Sequence, residues 1–540
     1  MNTLKTVPFH RIKKRNSEIH LRIARLLSIE KDERSFKAFS RKNKLFQKPH
    51  RLGKEVVLVE SPASRANLLG IRLFLGGAAS VFGNSFLLYR VTPYSRLLRI
   101  KELVRFFFSI EKTIGVKSFV SIAWVKKDDV FYEHFFYETC GIEDPYEFEQ
   151  FRYKEVLVGD LIYDEYLRRT KRETIDFSDK HFLRIFYELI SYFEEYLRLF
   201  NKHVVKAVVA SNCVYHFAIP LRLSCHLQIP SFQVTSETIY RLSKKRLHAY
   251  TEFLDYSEQI VEEFSEFQRN LPEVRARIRR RFSGEIGVDM PYSTKSAFNN
   301  SGDFQIKTGE ARIKILVATH DFFDSPHSYG FNFYPDFYLW LEALGKISET
   351  TNYEWYLKTH PDPIGNSELV LQELQRRFPK LQVIPAETSH HELRSQGINV
   401  ALTVFGTIGW EYPALGITTI NASRNNPHSC FSFSITPSTR EEYERVLLDL
   451  ENHKLESFDM NQIEKFYFLH NLQKLHSFIY LDYTRYLNEV GGYSRSTTSH
   501  ALGYYVAYCG NNRRPEDQIT RSIGRFIKSE DFMFNYRHIQ

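Results

Sequence analysis

The feature that most constrains this chain is a pattern run twice. Over residues 55–234, and again over 313–421, short apolar, β-branched runs alternate with longer stretches of helical spacing. Glu55-Val-Val-Leu-Val-Glu60, Val204–Ala210 and 400–404 are too short for buried helices and too continuously apolar for strands with one wet face. They read as parallel strands covered on both sides. The same reading predicts strands at 118–124, 155–158, 229–234, 313–319, Glu354–Lys358, Leu381–Ile384 and Thr418–Asn421. Helical spacing covers 68–75, 96–108, 187–200, 215–227, 334–350, 368–377, 392–396 and 410–415. Strand–helix alternation over this length is the signature of a parallel α/β sheet.

Between the two runs the periodicity fails in a stretch rich in Gly, Ser and Asn, the natural place for an interdomain linker. The predicted organisation is a basic arm over 1–54, a first Rossmann-like half over 55–282, a linker over 283–312 and a second Rossmann-like half over 313–455. A helical, aromatic-rich segment over 456–540 closes the chain. A length of 540 residues agrees with two to three domains.

Charge is confined to one end. The first 54 residues hold 16 Lys and Arg against 4 Asp and Glu, which exceeds the whole net charge of +9 and leaves the remainder slightly acidic. Ile19, Leu21, Ile23, Leu26, Leu27 and Ile29 lie among these basic residues. The arm is therefore a candidate interfacial helix at an anionic inner-membrane surface, set against a plain solvated leader. No nucleic-acid recognition motif accompanies it, so nucleic acid is not expected as a partner. Five scattered cysteines without a CxxC pair predict neither a disulfide framework nor a zinc site, and fit a reducing compartment. There is no uninterrupted apolar stretch of signal-peptide or membrane-spanning kind. The expected location is cytoplasmic, peripheral on the inner membrane.

Chemistry concentrates at predicted strand ends of the second half, where open α/β sheets bind ligands. The turn Gly406-Thr407-Ile408-Gly409 follows one strand and opens a short helix carrying Glu411. Glycines let backbone N–H groups approach a ligand closely, and a helix start attracts phosphate. Thr407 adds a hydroxyl, and Glu411 is placed to receive ribose hydroxyls. Lys358-Thr359-His360-Pro361 ends an earlier strand: Pro361 stiffens the loop, His360 suits a departing phosphate, and Lys358 supplies charge. His320, Asp324, Ser325 and His327 form a polar group after the first strand of this half, read as donor or acceptor contacts. In the first half, Asp160 and Asp164 follow a predicted strand and are the candidates to take a proton from an attacking hydroxyl, Asp160 first. The competing readings are ordinary βα turns and acids that satisfy a helix dipole.

The pair formed by Lys358-Thr359-His360-Pro361 and the Gly406–Thr407 turn, with Gly409-Trp410-Glu411 and then Gly416, resembles bacterial capsule and surface-polysaccharide glycosyltransferases. These are GT-B enzymes that include capsular Kdo transferases and bacterial sialyltransferases. The resemblance is clearest over 313–443 and thinner over 55–256. It implies two facing Rossmann-like domains and a CMP-, UDP- or GDP-linked sugar donor. It also implies a glycan or lipid-linked acceptor, transfer with inversion, and no metal or other cofactor. His360 and Thr407 would contact the donor phosphates, with an acidic residue of the first half as base. Many members carry Ser-Ser or Ser-Thr where this chain has Gly406-Thr407, which leaves the nucleotide open. The alternatives are a teichoic-acid type polyol-phosphate transferase using a CDP donor, a nucleotide-sugar epimerase, and a non-catalytic membrane-associated assembly protein.

Overall fold

The computed structural model describes residues 31–42, 54–91, 113, 116, 118–290, 293, 295–299, 305–306, 311–359, 367–452, 459–473, 477–480, 483–510 and 514–534. Two separate α/β sheets follow one another along the chain, as the repeated pattern predicts. In the first half the strands are β1 (Glu55–Glu60), β2 (Phe86–Val91), β3 (Ser118–Ile122), β6 (Val204–Ala210), β7 (Ser231–Val234) and β8 (Ile239–Leu242), with a two-stranded hairpin, β4 (Arg152–Tyr153) and β5 (Val156–Leu157), set apart. The second half contains β9 (Lys314–Ala318), β10 (Glu354–Lys358), β11 (Leu381–Ile384), β12 (Val400–Thr403) and β13 (Thr418–Asn421), and the chain ends on β14 (Met533–Phe534).

The first sheet has the order β14-β8-β7-β6-β1-β2-β3 and the second β11-β10-β9-β12-β13. The second is parallel throughout. In the first, β8 runs antiparallel to β7, and β14 antiparallel to β8. The central strands are buried on both faces, which is why β1 and β12 lack polar alternation. In each sheet the chain builds outward from one middle strand, then returns to that strand's other side. These reversals, β1/β6 and β9/β12, open a crevice between the loops at the strands' carboxyl ends.

Several elements differ from the sequence reading, among them strand β8 and the helices Asp129–Thr139 and Phe264–Phe282, which it lacks. Strand β2 was hidden, because Phe86–Val91 follows an apolar helix, Arg65–Phe82, after only Gly83, Asn84 and Ser85. The predicted strand at 155–158 shrinks to the hairpin strand Val156–Leu157, outside the main sheet. The C-terminal segment is not purely helical, since β14 extends the first sheet. The predicted helix at 96–108 and the apolar stretch at 19–29 lie outside the described residues.

The C-terminal segment packs on both halves. Ile523 and Phe526 join the core beneath the helix Arg65–Phe82, whereas Ile463, Phe466 and Tyr467 pack with Trp410 of the second half. Part of the basic arm also belongs to the folded body: the helix Lys31–Lys42 buries Phe36 and Phe39 edge-on against Tyr505. No helix among the described residues is long and apolar enough to cross a membrane, and all five cysteines are free.

Candidate active site

The carboxyl ends of β9, β10 and β12 open into a cavity of about 600 Å³ at the β9/β12 reversal, within the size range of small-ligand sites. Lys358, Thr359, His320, Gly406, Thr407 and Glu411 line it. Most of the residues singled out from two short motifs and one loop therefore share a single wall. The segment read as a linker also lines it, with Gly287, Lys295 and Phe298, as does Arg281 at the end of the helix before it. Its Gly, Ser and Asn content gave no hint of that role. His360 and Pro361 lie outside the described residues; Thr359 and Ser367, on either side of that interval, both line the cavity.

Lys358 is buried, and its Nζ donates to the carbonyl of Ala386 at 2.6 Å. Burial lowers its ammonium to about 8, against a weak opposing pull from Glu387, so it is a cation that titrates close to neutrality. Glu411 is 2% exposed and paired with Arg281, whose Nε lies 2.5 Å from Oε1. Its second oxygen accepts the Thr407 hydroxyl at 3.3 Å. The Arg281–Glu411–Thr407 chain fixes the Thr407 side chain and neutralises a carboxylate that would repel an anion.

The glycines of the turn serve packing rather than open approach. A Cβ on Gly406 would lie 2.7 Å from Thr403 Oγ1, and one on Gly409 2.2 Å from the buried ring of His428. Their amides are used within the turn, Gly406 N–H by Thr403 Oγ1 and Gly409 N–H by the Gly406 carbonyl. Gly409 does not line the cavity; the expected ligand contact is replaced by the imidazole behind it. The helix that follows, Ile408–Ala414, has 7 residues, which limits any contribution from its dipole. His320 organises the same corner. Its Nε2 accepts the amide of Val404 at 3.2 Å and lies 3.1 Å from Thr403 Oγ1, while its ring stacks on Phe337. It ties the end of β9 to the turn after β12.

The remaining candidates sit in a buried seam between the halves, not on the cavity. His327 places Nδ1 2.6 Å from Asp164 and Nε2 3.0 Å from Glu149, both in the first half. Burial would lower its pKa, but the two carboxylates outweigh that and raise it well above the ordinary value. Asp160 is paired with Arg222 at 2.6 Å and with His248 at 3.5 Å. Burial pushes its pKa up, yet Arg222 and His248 prevail and hold it well below the usual carboxylate range. Asp160 and Asp164 are each 1% exposed. Neither they nor His327 nor Ser325 lines the cavity, which corrects their expected placement at the site. Opposite charge drew them into the seam, and their partners come from distant parts of the chain.

Asp324 is the carboxylate that joins seam and cavity. It lines the cavity, stands 55% exposed and lies 3.4 Å from Arg168. It also accepts the Tyr215 hydroxyl at 2.8 Å. Among the described residues no three His, Cys, Asp or Glu side chains are grouped so as to hold a metal ion.

No protein-family model matches the chain, and no curated protein matches it. Solved structures do align with it. The beta Kdo 2,4 transferase KpsC of Thermosulfurimonas dismutans is 12% identical at a TM-score of 0.28, over 48% of this chain and 79% of that one. The UDP-GlcNAc 2-epimerase from Neisseria meningitidis, solved bound to UDP-GlcNAc, is 10% identical at a TM-score of 0.20, over 76% and 93%. The wall teichoic acid polymerase TagF is 9% identical at a TM-score of 0.18, over 96% and 100%. Similarity this distant decides nothing about chemistry, which rests on the chain's own residues.

Proposed function

We propose that the chain is a glycosyltransferase that moves a sugar, with inversion, from a nucleotide-sugar donor to a surface-glycan acceptor. The observation that carries this reading is the cavity at the β9/β12 reversal, where Lys358, Thr359 and Thr407 meet on one wall. A cation, two hydroxyls and a neutralised carboxylate suit the phosphates and ribose of a nucleotide. Departure of the nucleotide places negative charge on its phosphate, and Lys358 and Thr407 would stabilise that charge most in the transition state. In this reading His360 contributes to the same step from the loop after Thr359. Asp160, paired within the first half, and Asp164, paired with His327 of the second, are buried and engaged, so the acceptor's proton goes to a carboxylate that faces open space.

A thermal-shift panel of CMP, CDP, UDP, GDP and CDP-glycerol tests this reading. A ligand at 100 times its Kd adds about 2.7 kcal/mol of stability, so at least one nucleotide should raise Tm measurably. Thr407→Ala and Lys358→Ala should each weaken that nucleotide by roughly tenfold or more, the worth of a charge-assisted hydrogen bond. Because the Lys358 ammonium sits at about 8, affinity should fall as the pH rises past that value. No shift with any nucleotide, or full affinity in both variants, would overturn the reading. Stabilisation by CDP-glycerol with transfer of glycerol phosphate would redirect it to a polyol-phosphate transferase.

The basic arm has its own test. The helix Lys31–Lys42 buries two phenylalanines, so removing residues 1–54 would damage the body. Deletion of residues 1–30 alone should lower binding to anionic vesicles at least tenfold at low salt and leave Tm unchanged. Equal vesicle binding by the truncated chain would remove the membrane role.

A further inference from the structure

The first sheet has a crevice of its own, and no residue expected at the site occupies it. At the β1/β6 reversal the carboxyl ends of those strands open into a second cavity of about 490 Å³, lined by Glu60, Ser64, Arg65, Arg90, Asn212 and Phe217 among others. Glu60, the last residue of β1, is 6% exposed. Its Oε2 accepts both the amide and the hydroxyl of Ser211. Its Oε1 accepts no hydrogen bond from the described residues, and the charge that acts on the side chain is that of His216, without direct contact. An acceptor oxygen that opens on a cavity without a protein donor is available to a hydroxyl of a ligand there.

The rest of the lining limits what that ligand is. Arg90 is held by the Ser61 hydroxyl, with Nε at 3.1 Å, and Arg65 by Glu33 at 3.0 Å, so both guanidinium groups are fixed at the rim. Ser64 caps the 18-residue helix Arg65–Phe82, whose positive end adds to the two arginines. Asn212 offers amide hydrogen bonds, and Phe217 an aromatic surface for the apolar face of a sugar ring. The loop carrying Asn212 and Phe217 also carries Tyr215, whose hydroxyl reaches Asp324 on the nucleotide cavity. One short segment thus spans both crevices.

We propose that this second cavity binds an acidic saccharide, a sugar bearing a carboxylate or a phosphate, with Arg90 and Arg65 on the acidic group and Glu60 Oε1 accepting a sugar hydroxyl. Calling that sugar the acceptor rests on the transferase reading; the binding site does not. Raised by burial against the two hydrogen bonds from Ser211, the Glu60 carboxyl is a better proton acceptor than a surface glutamate, as a group receiving a hydroxyl should be.

Calorimetric titration of the full chain with D-glucuronate, glucose 6-phosphate and glucose tests the site. At least one acidic sugar should bind tenfold or more tightly than glucose, and which one does so separates the carboxylate from the phosphate. Arg90→Gln should abolish that preference. Glu60→Leu should weaken the acidic sugar at least fivefold, with Glu60→Gln weakened less, since its one carbonyl oxygen stays with the Ser211 amide and its NH2 can only donate to the sugar. Melting curves confirm that each variant is folded. Nucleotide affinity, measured on the same variants, should not change. The inference is overturned if neither acidic sugar outbinds glucose, or if Arg90→Gln and Arg65→Gln both retain the preference. A wild-type chain that binds nucleotide but no acidic sugar removes this inference alone, whereas one that binds acidic sugars but no nucleotide loses the transferase reading instead.

Discussion

His327→Ala is expected to lower the stability of the chain by about 3–5 kcal/mol, the usual cost of removing one partner from a buried ionic group. The imidazole is 2% exposed and hydrogen-bonded on both nitrogens to carboxylates of the other half. Its loss leaves Asp164 and Glu149 buried side by side without their shared donor. The effect has a definite pH signature. The folded pKa of His327 is raised above its unfolded value, so its contribution is fully present below about 6.5 and is lost as the pH rises through the folded pKa. Lys358 acts in the opposite sense, because its folded pKa is depressed to about 8: folding favours its neutral form, and its penalty is relieved as the pH rises through 8 and toward 10.5. The measurement is therefore a difference. Between pH 6 and 9 the Tm of wild type should fall relative to that of His327→Gln, in which Lys358 is unchanged. A constant difference over that window would show that His327 is not the protonated centre of the seam.

That seam also explains what the sequence concealed. The strands of the second sheet were legible to within a residue or so, because a strand covered on both faces is a short apolar run with clear ends. The wall of the β9/β12 cavity was legible for a related reason. Lys358, Thr359 and Thr407 are polar residues immediately after such runs, and the carboxyl ends of neighbouring parallel strands must share one edge of the sheet. Asp160 and Asp164 satisfied the same rule and were still misplaced. Their cationic partners, Arg222 and His327, lie 62 and 163 residues further on, and no local pattern shows that a carboxylate is already paired. Glu60 illustrates the converse. It ends the most obvious strand of the first half, yet reads only as its last residue, since its significance depends on β6 arriving alongside with Ser211. Glycines were ambiguous in a similar way. Gly409 looked like a point of ligand approach, and the neighbour that requires it, His428, comes from a separate loop.

Arg281→Ala should all but abolish nucleotide binding, and a second substitution should largely restore it. Arg281 lies at the end of the helix Phe264–Phe282, ahead of the cavity's outer wall, and its guanidinium is the cationic partner of the buried Glu411. Without it, Glu411 becomes an unbalanced negative charge on the wall of a site for phosphates. At roughly 6 Å and an effective dielectric near 20, one such repulsion costs about 2.8 kcal/mol, on the order of 100-fold in affinity. A direct contact between Arg281 and phosphate would add to the loss. The two contributions are separable. If Arg281 acts chiefly by neutralising Glu411, then Glu411→Gln in the Arg281→Ala background removes the offending charge, keeps an acceptor for the Thr407 hydroxyl and recovers most of the affinity. A direct phosphate ligand would leave the double variant as weak as the single one. The cycle is informative because the two side chains touch, which is where additivity fails. Glu411→Gln alone sharpens the choice: it leaves Arg281 with only Asp289 as a carboxylate partner, 3.9 Å away, and should bind the nucleotide as tightly as wild type or more so. Weakened binding in that variant would place the importance of Glu411 in a ribose contact, as its position after the Thr407 turn first implied.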